Sequence, residues 1–139
     1  MAPVTLYAAV ADVQALLNTS SGTGLTIGTG SVPTTAQVEG FLDQVAAEIN
    51  SVLAGIGYSV PVSGTNDIYL LKRYVSQKTA AMTFHAGYGG LSNPPDRVKT
   101  WETEYAEFLQ RLIDHEQRLV DSAPRSKVGV INVGLYTGD

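Results

Sequence analysis

The sequence predicts an all-α protein, a small helical bundle of three long helices plus a short N-terminal helix, with an extended strand-like C-terminal tail. Apolar residues recur at helical spacing in four segments. Clusters of glycine, proline and small polar residues separate those segments. Within residues 125–139, Val128 and Val130 alternate with Gly129, and after a shift at Ile131 the alternation resumes through Val133 and Leu135, which is typical of a strand. We therefore expect a helical domain over residues 1–123 and a tail over residues 124–139.

The length and composition of the chain exclude several classes of protein. The chain has 139 residues, long enough for one domain with a core, and only 16% of them are charged, below the roughly 25% of typical domains. A weakly charged surface favours contacts with partners. The absence of cysteine excludes a disulfide framework, a thiolate metal site and a thiol nucleophile. The N-terminus lacks the features of a signal peptide and no apolar run approaches membrane-spanning length, so we expect no membrane partner.

Charge is distributed unevenly along the chain. All nine Lys and Arg residues lie from Lys72 onward, whereas five acidic residues precede it. The formal net charge of −4 argues against autonomous binding of duplex DNA, which needs several cations on one face. An acidic first half favours a solvated or channel-lining surface instead.

The first helix is predicted over about residues 8–17, with Asp12 in its first turn. Residues 18–33 are rich in Ser, Thr and Gly and show no period, which predicts a long surface loop. The glycines of this loop are not followed by Gly-Lys-Ser or Gly-Lys-Thr, so they do not form a phosphate-binding loop. The apolar stripe that predicts the first helix consists of Val10, Val13, Leu16 and Leu17.

The second helix has the clearest start. Thr34 and Gln37 form the pattern of a capping box, and the helix is expected to end near residues 54–56. Its polar side carries Glu39, Asp43 and, slightly off that row, Glu48. Such spacing can imitate a carboxylate metal cluster, but no histidine accompanies it, so a solvated face is the preferred interpretation. The apolar face comprises Val38, Phe41, Leu42, Val45, Ile49, Val52, Leu53 and Ile56.

The third helix is predicted over about residues 66–85 and places Lys72, Arg73 and Lys78 opposite its apolar face. These cations face nucleic acid, acidic helices of a neighbour or simply solvent. The fourth helix is expected to begin at residues 93–96 and to close at Pro124. Its predicted buried side consists of Val98, Trp101 as a core anchor rather than a ligand platform, Tyr105, Phe108, Leu109, Leu112, Leu119 and Val120.

Catalytic patterns are missing from the sequence. Neither His85 nor His115 has a glutamate three residues before it, so the di-metal pattern of helical bundles fails. Asp114, His115 and Glu116 are consecutive, and adjacent helical side chains point in different directions. No Gly-x-Ser-x-Gly elbow is present. We expect no catalytic residue, no metal and no cofactor.

The tail has the pattern of a strand without a partner. Ordering its residues costs on the order of 1 kcal/mol each, more than half-burying a few aliphatic side chains returns. We therefore expect it to be disordered in an isolated subunit and to add as a strand to a sheet edge or groove of another chain. Its candidate partner-binding residues are Arg125 and Lys127 for polar contacts, and Val128, Val130, Ile131, Val133 and Leu135 for apolar contacts.

The order of these segments resembles a known family. A short helix that includes residues 7–13 (YAAVADV) is followed by a polar loop, a long helix ending in residues 57–62 (GYSVPV) and two more helices. This arrangement resembles the head-to-tail connector (adaptor) proteins of tailed bacteriophages over about residues 5–123. The glycine-rich loop at residues 19–30 is longer than the family leads us to expect.

The resemblance implies a structural role in the virion neck, at the interface of head and tail. Such a subunit is made in the host cytoplasm and forms a homo-oligomeric ring beneath the portal protein, with the twelvefold symmetry usual for portals. The ring joins the capsid to a tail-side neck protein and surrounds a channel through which DNA passes without sequence-specific binding. Candidate channel-lining or inter-subunit residues are Glu39, Asp43, Glu48, Lys72 and Arg73.

Two alternatives remain open from the sequence. One is a small helical binding or regulatory module unrelated to virions, whose tail is only a flexible end. The other is an enzyme, which would need a pocket lined by residues such as Tyr74, His85 and Glu104. An adaptor should bind portal rings and lose that binding without its tail, whereas a self-contained module should behave as before.

Overall fold

The computed structural model of the chain describes residues 6–19, 26–88 and 94–121. These residues form four helices, α1 (Val10–Thr19), α2 (Thr35–Gly55), α3 (Thr65–Tyr88) and α4 (Asp96–Ile113), and the described residues include no strand. The predicted all-α bundle, with one short and three long helices, is confirmed. The predicted tail over residues 124–139 lies outside the described residues.

Helix α3 is the centre of the bundle, because its contacts with the other three helices are more extensive than those that any other helix makes. One face of α2 is buried against it through the predicted apolar positions, including Val38, Leu42 and Ile49. From α4, Trp101 and Phe108 enter the core with 3% and 0% of their surface exposed, which confirms Trp101 as a core anchor. Phe108 stacks on Tyr74 of α3 with ring centroids 4.0 Å apart.

The start of α2 confirms the predicted capping box. Gln37 donates its backbone N–H to the Thr34 hydroxyl at 3.2 Å, and Thr34 donates its own N–H to Gln37 Oε1 at 2.9 Å. At the other end of the helix, Gly57 has a φ of 106°, a left-handed conformation that glycine adopts without strain. The chain turns there and leads into a connector to α3.

The segment before α1 is hydrogen-bonded to both that connector and α2. Val62 donates its N–H to the Tyr7 hydroxyl at 3.0 Å, and the same hydroxyl donates to Asn50 Oδ1 on α2. Tyr7 is 3% exposed, and this burial raises its pKa above the usual value for tyrosine. The N-terminal segment, α2 and the connector therefore meet at one end of the bundle.

Helix α4 is shorter than predicted, since it ends at Ile113 rather than at Pro124. Glu116 and Gln117 both donate their N–H groups to the carbonyl of Arg111, and His115 has a φ of 62°. The chain therefore leaves the helix in a turn that satisfies the last carbonyl groups, and it continues along α3 from Tyr74, which Arg111 contacts, to Asp67, which Val120 contacts.

Leu119 is buried as expected, but it belongs to the segment after α4 rather than to the helix. Its N–H donates to the Tyr58 hydroxyl at 3.2 Å, which holds this segment against the connector. Val120 is 77% exposed, so its predicted place on the buried side of α4 is wrong. Helical spacing misassigned both residues because seven positions separate Leu112 from Leu119, a distance that also fits two helical turns.

Candidate functional site

The chain after α4 is fixed to the first turn of α3 by a buried carboxylate. Asp67 is 1% exposed. Its Oδ1 accepts the N–H of Val120 at 2.7 Å, and its Oδ2 accepts the N–H of Asp121 at 3.0 Å. Hydrogen bonds to an ionised acceptor are the stronger kind, and the positive end of the α3 dipole also favours a carboxylate at this place.

Asp121 also accepts a hydrogen bond from α3, because its Oδ2 accepts the N–H of Asn66 at 2.8 Å. Gly64 occupies the capping position of α3, where its carbonyl accepts the N–H of Ile68 at 2.9 Å. Glycine has no side chain to cap the helix, so the carboxylate of Asp121 does so from the other end of the sequence. We call Gly64, Asn66, Asp67, Val120 and Asp121 the α3 clasp.

The clasp also explains why a glycine precedes α3. A Cβ atom added to Gly64 would overlap with Cβ of Asp121 and would lie 3.2 Å from Oδ2 of Asp67. Asp121 therefore lies so close to the start of α3 that only glycine fits at position 64. Because the clasp holds Asp121, the last residue that the structure describes, the chain beyond it starts from a fixed point beside α3.

Sequence reasoning did not identify the clasp. An acidic residue in the first turn of α3 was a visible signal, since Asp67 suits the helix dipole. Its partners lie 53 and 54 positions later in the chain, and no periodic pattern links them. The contact depends on where α4 ends, which the sequence did not show.

Apolar side chains remain exposed at the end of the bundle that holds the clasp. Val60 in the connector and Val120 in the clasp are 37% and 77% exposed, and Leu6 beside Tyr7 is 42% exposed. The hydrogen bonds from Val62 to Tyr7 and from Leu119 to Tyr58 bring the three neighbouring segments together. This end of the bundle therefore has exposed apolar side chains close to Asp121.

The structure separates the three acids that were predicted to share one side of α2. Glu39 and Asp43 are four residues apart and lie on one side of the helix. Glu48 accepts a hydrogen bond from the Tyr105 hydroxyl of α4 and therefore faces that helix. One carboxylate oxygen of Asp43 is buried without a hydrogen-bond partner among the described residues. Glu39 and Asp43 remain the predicted channel-lining pair.

Lys72 and Arg73, the two cations named as channel-lining or inter-subunit candidates, both have acidic partners within the chain. Lys72 Nζ lies 3.4 Å from Asp12 Oδ1 on α1, and Arg73 Nη2 lies 3.6 Å from Glu104 Oε1 on α4. All four side chains are partly exposed, so each pair contributes about 0–1 kcal/mol to folding. The pairs leave little unbalanced positive charge on these sides of α3.

Tyr74 and Glu104, two of the residues named for a possible enzyme pocket, line a cleft of about 210 Å³ between α3 and α4 with Arg73, Glu107 and Arg111. His85 does not line this cleft, and its Nε2 lies 3.4 Å from Oε2 of Glu102. Arg111 donates to the Tyr74 hydroxyl at 3.3 Å. The described residues include no group of three or more side chains arranged to hold a metal ion.

The hydrogen bond from Tyr105 to Glu48 predicts how stability depends on alkaline pH. Burial raises the pKa of Tyr105 well above its usual value, and the Glu48 carboxylate raises it further as acceptor and as negative charge. The unfolded chain therefore loses this proton first, near pH 10, while the folded chain keeps it. We expect the free energy of unfolding to fall above pH 10 by about 1.4 kcal/mol per pH unit from this residue.

Urea unfolding of the wild type and of Tyr105→Phe, measured between about pH 8 and pH 11, tests this expectation. The variant lacks the ionisable hydroxyl, so its stability should fall less steeply above pH 10. Lysines and the other tyrosines titrate in both proteins and cancel in the comparison. Parallel curves for the two proteins would show that Tyr105 ionises alike in the folded and unfolded chains.

The fold and the clasp together define a class, a small helical bundle in which the chain after α4 is fixed at one end. No family model, no curated protein and no solved structure matches the chain. No helix within the described ranges is long and apolar enough to cross a membrane. The predicted partner-binding residues of the tail, from Arg125 to Leu135, lie outside the described residues.

Proposed function

We propose that this protein is a structural adaptor of a tailed bacteriophage, which forms a ring beneath the portal and joins the capsid to the tail around the DNA channel. The observation that carries the proposal is the clasp, because it gives a strand-patterned segment a fixed starting point on a compact helical subunit. A segment held at its base has fewer conformations to lose when it adds to a sheet of another chain.

Two features of the surface support the same role. The exposed apolar residues Leu6, Val60 and Val120 lie at the end where the segment starts, so a partner that takes the segment can also cover them. Head-to-tail contacts between identical subunits need two different faces on each one.

The side of α2 with Glu39 and Asp43 carries negative charge only, which suits a channel wall that repels the DNA backbone.

Deleting residues 125–139 tests the proposal. We expect the full-length protein to co-sediment with portal rings and the truncated protein to lose that binding at least tenfold. The clasp ends at Asp121, so the deletion should leave the helical circular-dichroism signal and the midpoint of thermal unfolding unchanged. A second variant keeps the length of the chain but replaces Val128, Val130 and Val133 with serine, which removes three of the apolar side chains of the segment.

Loss of binding in both variants, with the fold intact, would support the adaptor role. Equal binding by the full-length and truncated proteins would contradict it. If neither protein binds portal rings from the phage of origin, the alternative of a helical binding module unrelated to virions replaces the adaptor.

A further inference from the structure

We draw no further inference here: the strongest candidate, the exposed face of α3 that carries Tyr69 and Arg73 between α1 and α4, lies on the side of that helix opposite to the clasp, and nothing in the structure shows what covers it.

Discussion

Replacing Asp67 with alanine is expected to lower the free energy of unfolding by about 3 kcal/mol, because two backbone N–H groups lose a charged acceptor within the protein. These donors belong to Val120 and Asp121, and the carboxylate that binds them is 1% exposed. The same substitution frees the chain after α4 from α3. Urea unfolding measures the first effect, and hydrogen exchange at the amides of residues 119–121 measures the second.

Asp121→Ala is the matched control for this prediction. It removes the acceptor of the Asn66 N–H but leaves Asp67 and both of its donors in place, so a loss of about 1 kcal/mol is expected, as for a helix cap. The exchange rates of the Val120 and Asp121 amides should rise far more in Asp67→Ala than in Asp121→Ala. Equal, small losses of stability in the two variants would show that the clasp does not depend on the buried carboxylate.

Replacing Gly64 with alanine is expected to destabilise the protein by about 2 kcal/mol, since overpacking of this kind displaces backbone. The new Cβ atom would overlap with Cβ of Asp121, which is joined directly to the main chain and cannot rotate away. Residues 119–121 must therefore move off α3, and the hydrogen bonds to Asp67 lengthen. Thermal or urea unfolding measures the loss.

Gly40→Ala provides the comparison within the same chain. Gly40 lies inside α2, and a Cβ atom added there would meet no atom within 4 Å, so alanine should stabilise the helix by about 1 kcal/mol. The two glycine-to-alanine changes are thus expected to have opposite signs. A stabilising effect at both positions would mean that Asp121 does not pack closely against Gly64.

The sequence predicted those parts of the fold that depend on local patterns. The capping box of Thr34 and Gln37 lies within four residues, and the apolar face of α2 repeats along one helix, so both were visible without the rest of the chain. The burial of Trp101 followed in the same way from the apolar side of α4.

The end of α4 could not be predicted, because the residues after Ile113 remain compatible with a helix. The chain leaves the helix at His115 in a left-handed conformation, which histidine adopts more often than most residues but far less often than glycine, so its presence did not mark the end of α4. Leu119 then reaches the core through Tyr58, which is 61 positions away in the sequence. Contacts of this kind depend on tertiary packing that overrides local propensity.

The candidate site shows the same limit. The predicted residues were chosen by type and spacing, yet Lys72 and Arg73 have partners on α1 and α4, and Glu48 contacts Tyr105. None of these pairings has a periodic signal in the sequence. The clasp was missed because it is formed by elements that meet only in the folded chain.

A cryo-EM reconstruction of the subunit bound to portal rings of its phage tests the adaptor role most directly. The account predicts a ring of these subunits stacked on the portal, with the clasp end directed at another chain and residues 125–139 added to that chain as a strand. A complex that lacks the ring, or a ring in which residues 125–139 contact no other chain, would contradict it.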